Sequence, residues 1–133
     1  MKVFADTNFL VSSFASRGLS TDVFQVILAE HEIMTGEFVL GELYRVLTTK
    51  LKVSAKIARE AEQLLRQLYL EPVPDQPSEI HVRDEDDRWV LESALRAGAE
   101  ILITGDKDLL DISDKVPGLK IVTPRTFWEL IQK

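Results

Sequence analysis

The chain has 133 residues, of which 45% are hydrophobic and 29% are charged. These values are typical of one soluble globular domain with a sizeable core. No apolar run approaches the roughly 18 residues of a membrane span, and Asp6 and Asn8 interrupt the N-terminal apolar segment too early for a signal peptide. The absence of cysteine excludes disulfides, thiol nucleophiles and cysteine-based zinc sites. We therefore expect one domain over residues 1–133, located in the cytoplasm and not in a membrane.

The net charge is −6, from 22 acidic and 16 basic residues. A general nucleic-acid coat protein would be expected to be basic, so the overall charge argues against that class. An enzyme whose acidic residues hold cations at one site is compatible with the same charge balance.

Short apolar segments alternate with segments of helical spacing. The pattern predicts strands at 2–5, 32–35, 70–73, 101–104 and 120–123. It predicts helices at 7–14, 22–30, 37–50, 54–68, 107–110 and 125–131, together with one that follows the acidic cluster 84–87 and stops at Gly98. Ser20 or Thr21 is expected to cap the second helix, and Pro124 to begin the last. This alternation favours an α/β fold, with a doubly wound, mostly parallel sheet of about five strands flanked by helices.

Asp6 follows the first predicted strand directly and precedes the first helix, within MKVFADTNFL. Ligands of open parallel sheets bind in the crevice outside the carboxyl ends of the strands, so a carboxylate at this point can serve a site. Asp is also a preferred helix cap. Taken alone, the decapeptide is explained most simply by the cap.

Three more acidic residues are expected at the same edge of the sheet. Asp106 follows the fourth predicted strand, and Asp87 begins the helix that leads into that strand. Glu42 lies one or two turns into the helix after the second strand. Each also has an ordinary explanation, because Glu42 could pair with Arg45, Asp87 could favour the helix dipole and Asp106 could cap a turn.

Carboxylates gathered in one pocket repel each other and raise one another's pKa values. A divalent cation removes this repulsion, and Mg²⁺ or Mn²⁺ is the natural choice when every ligand is an oxygen of Asp or Glu. One or two such ions can activate water and stabilise the leaving oxygen of a phosphodiester. The acidic residues therefore predict hydrolysis of nucleic acid without a protein nucleophile.

Four segments distributed over essentially the whole chain carry a family resemblance. They read VFADTNFLVS, GELYRVLTTKL, RDEDDRWVLESALRAGAEILITGDKDLL and IVTPRTFWEL. Together they resemble the PIN domain family of metal-dependent ribonucleases, and in particular the prokaryotic VapC-like toxins of toxin–antitoxin pairs.

The resemblance implies a catalytic metal site that holds one or two Mg²⁺ (or Mn²⁺) ions. Its ligands would be Asp6, Glu42, Asp87 and Asp106, supported by Thr7, Asn8, Thr104 and Asp108. The implied partners are an RNA substrate, a cognate antitoxin and a second copy of the chain in a homodimer.

The acidic entry of the third segment makes one ligand ambiguous. It reads Asp84-Glu85-Asp86-Asp87, where similar proteins often have Pro after the first Asp. Asp87 is preferred because its distance to Gly98 matches the helix of the family, and Asp84 is the alternative.

Basic residues could hold the phosphates of RNA, although scattered solubilising charges are an equally simple explanation. The candidates are Arg17, Arg45, Lys50, Lys52, Lys56, Arg59 and Lys107. Arg45 and Lys107 are expected to lie nearest the predicted site.

Three other functions are compatible with an acidic sheet edge. A phosphatase of the haloacid-dehalogenase kind needs a second acid two residues after its nucleophile, where this chain has Asn8. A phospho-acceptor signalling domain needs Lys after the last strand, where this chain has Thr123-Pro124. The third alternative is a catalytically inactive PIN-like domain that binds RNA or protein, which the complete acid set disfavours.

Overall fold

The computed structural model describes residues 1–132, which form five strands, seven α-helices, one π-helical turn and one 3₁₀ turn. The strands are β1 (Lys2–Ala5), β2 (Glu32–Gly36), β3 (Tyr69–Glu71), β4 (Ile101–Ile103) and β5 (Lys120–Val122). The helices are α1 (Thr7–Ala15), α2 (Leu19–Glu30), α3 (Glu37–Arg45), α4 (Ala55–Leu65), α5 (Glu85–Arg96), α6 (Lys107–Leu110) and α7 (Pro124–Ile131). A π-helical turn (Val46–Lys50) continues α3, and a 3₁₀ turn (Ser113–Lys115) precedes β5. Within residues 1–132, none of the helices has the length and apolar character needed to cross a bilayer.

The five strands form one sheet in the order β3-β2-β1-β4-β5, and every neighbouring pair is parallel. The predicted doubly wound α/β sheet of about five strands is therefore confirmed. The chain builds outward from β1 to β3 on one side and then returns to place β4 on the other side of β1. The junction between β1 and β4 is thus the point where the strand order reverses, which is where such sheets bind ligands.

Both central strands are apolar because helices cover the two faces of the sheet. Val3, Phe4 and Ala5 of β1 are fully buried, as are Leu102 and Ile103 of β4. Consecutive buried residues of this kind, without alternation, are typical of a parallel sheet covered on both faces. The two strands that adjoin the reversal point are therefore held rigidly by the core.

Several helices begin at the carboxyl edge of the sheet. α1 follows β1 after one intervening residue, α3 follows β2 directly, and α6 follows β4 after three intervening residues. α5 leads into the amino end of β4, so its own first turn lies toward the opposite, carboxyl edge. Four helix N-termini are therefore directed to one side of the molecule.

The structure corrects the predicted boundaries of three helices. Neither Ser20 nor Thr21 caps α2, which begins at Leu19 after Gly18. Gly18 has φ of +152°, a conformation that favours glycine, and the hydroxyl of Thr21 donates instead to the carbonyls of Ser13 and Ser16. The helix expected to reach residue 50 becomes π-helical after residue 45, and the helix expected to reach Leu68 ends three residues earlier.

Thr35 at the end of β2 provides a test of how the sheet edge is held. Its side chain is fully buried, and its hydroxyl donates to the carbonyl of Ala5, 3.0 Å away, one residue before Asp6. Thr35→Val keeps the shape of the side chain but removes the donor, and we expect it to lower the free energy of unfolding by about 1–3 kcal/mol. Urea denaturation measures the change, and Thr35→Ser, which keeps the hydroxyl, is the matched control. Wild-type stability in Thr35→Val would contradict a contribution from the hydrogen bond.

Candidate active site

A cleft of about 350 Å³ opens at the carboxyl edge of the sheet, beside the junction of β1 and β4. We call it the acidic cleft because five of its lining residues are carboxylates. The lining residues are Asp6, Thr7, Asn8, Val11, Ser12, Glu42, Val46, Lys50, Asp84, Asp87 and Asp106. The four acids predicted as ligands and the alternative Asp84 thus share one cavity.

Asp6 is the most firmly held carboxylate of the cleft, with only 3% of its surface exposed. Its Oδ1 accepts a hydrogen bond of 2.7 Å from the backbone N–H of Thr7, and its Oδ2 accepts one of 2.6 Å from the hydroxyl of Thr104. Asp6 therefore caps α1 and lines the cleft at the same time, so the two interpretations of its sequence position are both met.

Thr104 connects Asp6 to Asp106. Its hydroxyl oxygen, which donates to Asp6, also accepts the backbone N–H of Asp106 at 2.9 Å. Asp106 in turn caps α6, because its Oδ1 accepts the N–H of Asp108 at 2.8 Å. The register of β1 against β4 brings Asp6 and Thr104 together. Ala5 pairs with Ile103, so the residues that follow them, Asp6 and Thr104, lie side by side.

Asn8 ties the first turn of α1 to the loop that follows β4. Its Oδ1 accepts the backbone N–H of Gly105 at 3.0 Å and lies 3.3 Å from the hydroxyl of Thr104. The amide side chain therefore fixes the distance between the two chain segments that carry Asp6 and Asp106.

Glu42 reaches the cleft from α3 and is oriented by Thr7. The Thr7 hydroxyl donates to Glu42 Oε1 at 2.9 Å. Burial raises the pKa of Glu42, the hydrogen bond from Thr7 lowers it, and the nearby negative charge of Asp6 raises it again. Arg45 lowers the pKa through its charge, but the described residues contain no ion pair between Arg45 and Glu42.

Asp87 is the carboxylate of the cleft whose ionised form is least favoured. It is 6% exposed, and its Oδ2 is the one buried side-chain oxygen or nitrogen without a hydrogen-bond partner among the described residues. Burial raises its pKa far above the ordinary value, and the adjacent carboxyl group of Asp106 and the charges of Asp6 and Asp84 raise it further.

Asp84 and Asp108 lie next to Asp87. One carboxylate oxygen from each of the three residues falls within 4.8 Å of the others, a spacing that a single cation could bridge. Asp84 also caps α5 by accepting the N–H of Asp86 at 3.0 Å. Both the alternative ligand and the predicted supporting residue therefore belong to the same acidic neighbourhood.

The residues present fit a divalent cation. All candidate ligands are oxygens, which suits Mg²⁺ or Mn²⁺. None of the ion pairs among residues 1–132 involves a carboxylate of the cleft, so the charges are not neutralised by Lys or Arg. A buried carboxylate oxygen without a donor is expensive unless a cation compensates it.

The predicted basic residues differ in whether they line the acidic cleft. Neither Arg45 nor Lys107 lines the acidic cleft, whereas Lys50 does.

Val11 and Ser12 also line the acidic cleft and were not singled out from the sequence. Their spacing of three and four residues from Asn8 puts them on the same side of α1 as Asn8, so helical periodicity counted from Asn8 could have found them.

The sequence profile described as PIN domain matches residues 2–108. The chain therefore belongs to the PIN domain family, as the resemblance of its motifs predicted. A comparison with curated proteins gave no match.

Two solved structures share the fold. VapBC2 from Rickettsia felis, in complex with a DNA fragment from its promoter, matches with a TM-score of 0.66 and 14% identity, covering 92% of this chain and 98% of that chain. VapC20 from Mycobacterium tuberculosis, a toxin that cleaves the sarcin-ricin loop, matches with a TM-score of 0.56 and 20% identity, covering 80% and 91%. At these identities the likeness establishes that the fold is the PIN fold seen in VapC proteins.

The pKa of Asp6 predicts how the metal-free protein responds to pH. Burial raises this pKa from 3.8 to about 6. Between these values the unfolded chain ionises Asp6 while the folded protein keeps it protonated, so the free energy of unfolding falls as pH rises from about 4 to 6. The contribution amounts to about 3 kcal/mol. Urea denaturation in the presence of a chelator should show this loss in the wild type relative to Asp6→Asn. Parallel pH profiles for the two proteins would contradict it.

Proposed function

We propose that this protein is a metal-dependent endoribonuclease that hydrolyses RNA phosphodiester bonds in the acidic cleft. The observation that supports this most is the convergence of five carboxylates on one cavity at the reversal point of the sheet, including a buried oxygen of Asp87 without a donor. Membership of the PIN domain family supports the same reaction class.

Asp6, Glu42, Asp87 and Asp106 would hold one or two Mg²⁺ or Mn²⁺ ions, with Asp84 as the alternative to Asp87. Such ions supply a water molecule of lowered pKa and stabilise negative charge on the phosphate and the leaving oxygen. In this scheme water attacks the phosphorus, the bond to the leaving oxygen breaks, and no covalent protein nucleophile is needed.

The protein's own contribution is to hold ionised carboxylates at fixed positions. Thr104 donates to Asp6 and Thr7 donates to Glu42, and both hydrogen bonds favour the ionised form that a cation requires. Asn8 holds the loop after β4, and Asp108 adds a carboxylate close to Asp87. These four residues therefore act on the ligands and not on the substrate.

Removing one ligand should abolish the reaction without unfolding the protein. We expect Asp6→Asn and Asp106→Asn to reduce cleavage of RNA at least about a hundredfold in Mg²⁺ or Mn²⁺, because the metal charge can no longer be held where it acts. The measurement is the rate of cleavage of structured and single-stranded RNA, with thermal unfolding to verify the fold. Asp114→Asn, at an exposed Asp outside the cleft, is the control.

A calorimetric titration with Mn²⁺ distinguishes the nuclease from the inactive alternative. Heat of binding in the wild type that disappears in Asp6→Asn supports a functional metal site. Full-rate cleavage by both Asn variants would exclude the proposed mechanism. Absence of Mn²⁺ binding to the intact cleft would instead favour a PIN-like domain that binds RNA or protein without cleaving.

We further propose that the protein is the toxin of a toxin–antitoxin pair and works in the cytoplasm as a homodimer. The support is its family and the fold that it shares with VapBC2, which was solved bound to a DNA fragment from its promoter, and with the toxin VapC20. One domain over residues 1–133 would carry the whole activity.

This biological role predicts a growth phenotype that depends on the cleft. Expression of the wild type alone should arrest bacterial growth, and expression of Asp6→Asn should not. Co-expression with a small DNA-binding protein encoded next to this gene should restore growth, and the two proteins should co-purify. Normal growth with wild-type protein of verified ribonuclease activity would separate the enzyme from the toxin role.

A further inference from the structure

Lys50 is the one basic residue among those that line the acidic cleft in residues 1–132. Its side chain is exposed, and it takes part in none of the ion pairs found in that part of the chain. A lysine placed on the wall of a cleft with five carboxylates, yet paired with none of them, has its ammonium group available for an anion that enters from solution.

The π-helical turn explains how Lys50 reaches the cleft. Glu42, Val46 and Lys50 follow at intervals of four residues, and all three line the cavity. In a continuous α-helix each such interval rotates the side chain by about 40°, so Lys50 would lie about 80° from Glu42. The turn has an i→i+5 hydrogen bond, from the Leu51 N–H to the Val46 carbonyl at 3.1 Å, and therefore roughly 4.4 residues per turn. The second interval then rotates back by roughly 30°, which returns Lys50 to the face of Glu42.

Two threonines stabilise this unusual turn locally. The hydroxyl of Thr48 donates to the carbonyl of Tyr44 at 2.8 Å, and that of Thr49 donates to the carbonyl of Arg45 at 2.5 Å. Hydroxyls that bond back to carbonyls of the preceding turn bend helices and loosen their regular ladder. The sequence Thr48-Thr49 thus favours the geometry that places Lys50 on the wall of the cleft.

We propose that Lys50 binds a phosphate of the RNA backbone next to the scissile bond and so determines substrate affinity. The inference rests on the proposed ribonuclease function. The acidic ligands hold the reacting phosphate through the metal, and a free ammonium group on the same face as Glu42 is placed to hold a neighbouring phosphate as a point charge. Such a contact raises affinity in the ground state and the transition state alike.

The test compares Lys50→Gln, Lys50→Arg and wild type in steady-state cleavage of a single-stranded RNA oligonucleotide with Mn²⁺. We expect Lys50→Gln to raise KM roughly tenfold and to leave kcat nearly unchanged, because one charge-assisted contact to phosphate is lost. Lys50→Arg should restore most of the affinity. The slope of log(kcat/KM) against log salt concentration should decrease by about 0.7 in Lys50→Gln, as expected for the loss of one counterion released from a single strand.

Lys120→Gln is the matched control, because Lys120 is exposed at the amino end of β5, on the opposite edge of the sheet. Calorimetry with Mn²⁺ should give the same affinity for Lys50→Gln and wild type. Kinetic constants of Lys50→Gln equal to those of Lys120→Gln would overturn the inference while the ribonuclease function stands. A loss of kcat accompanied by weaker Mn²⁺ binding would also overturn it, in favour of a role in the metal site. Wild type that cleaves no RNA would overturn the proposed function and the inference together.

Discussion

The parallel pairing of β1 with β4 is the interaction on which the rest of the site depends. It places Ala5 beside Ile103, and the residues that follow, Asp6 and Thr104, then meet through a hydrogen bond of 2.6 Å. Because the chain reverses its strand order at this junction, helices that begin on either side are directed to one crevice. A one-residue change of register would separate Asp6 from Thr104 and dismantle the contact with Asp106.

The clustering of buried carboxylates in the acidic cleft opposes the stability of the folded protein. Burial raises the pKa of Asp6, Glu42 and Asp87, so each carboxylate resists the ionised form that the proposed chemistry requires. Hydrogen bonds from Thr7 and Thr104 offset part of this penalty, while one oxygen of Asp87 has no donor at all. The fully buried apolar residues of the central strands allow the fold to tolerate such a cluster, and a bound cation would relieve it.

Helix boundaries show where sequence patterns reach their limit. The apolar spacing from Glu37 onward predicts one helix to residue 50, but periodicity cannot distinguish α-helical from π-helical turns over so few residues. The predicted cap of α2 was also wrong, because the backbone conformation before a helix is not visible in the sequence pattern. Ser20 and Thr21 are residue types that cap helices well. The tight turn after α1, however, uses the positive φ of Gly18. The hydroxyl of Thr21 donates to the carbonyl of Ser16 in this turn instead of capping α2.

The sequence by itself determined the five strands, their mostly parallel direction and the acids that follow them, because short buried strands and the residues at their carboxyl ends are local patterns. The order of the strands in the sheet came from the tertiary structure. The sequence also carried the family, since the four motifs keep their order along the chain. Only the tertiary structure decided which acids share a cavity, that Asp84 and Asp108 adjoin Asp87, and that Lys50 and not Arg45 or Lys107 lines it. These facts depend on register and on the rotation of one helical turn, which distances along the chain do not specify.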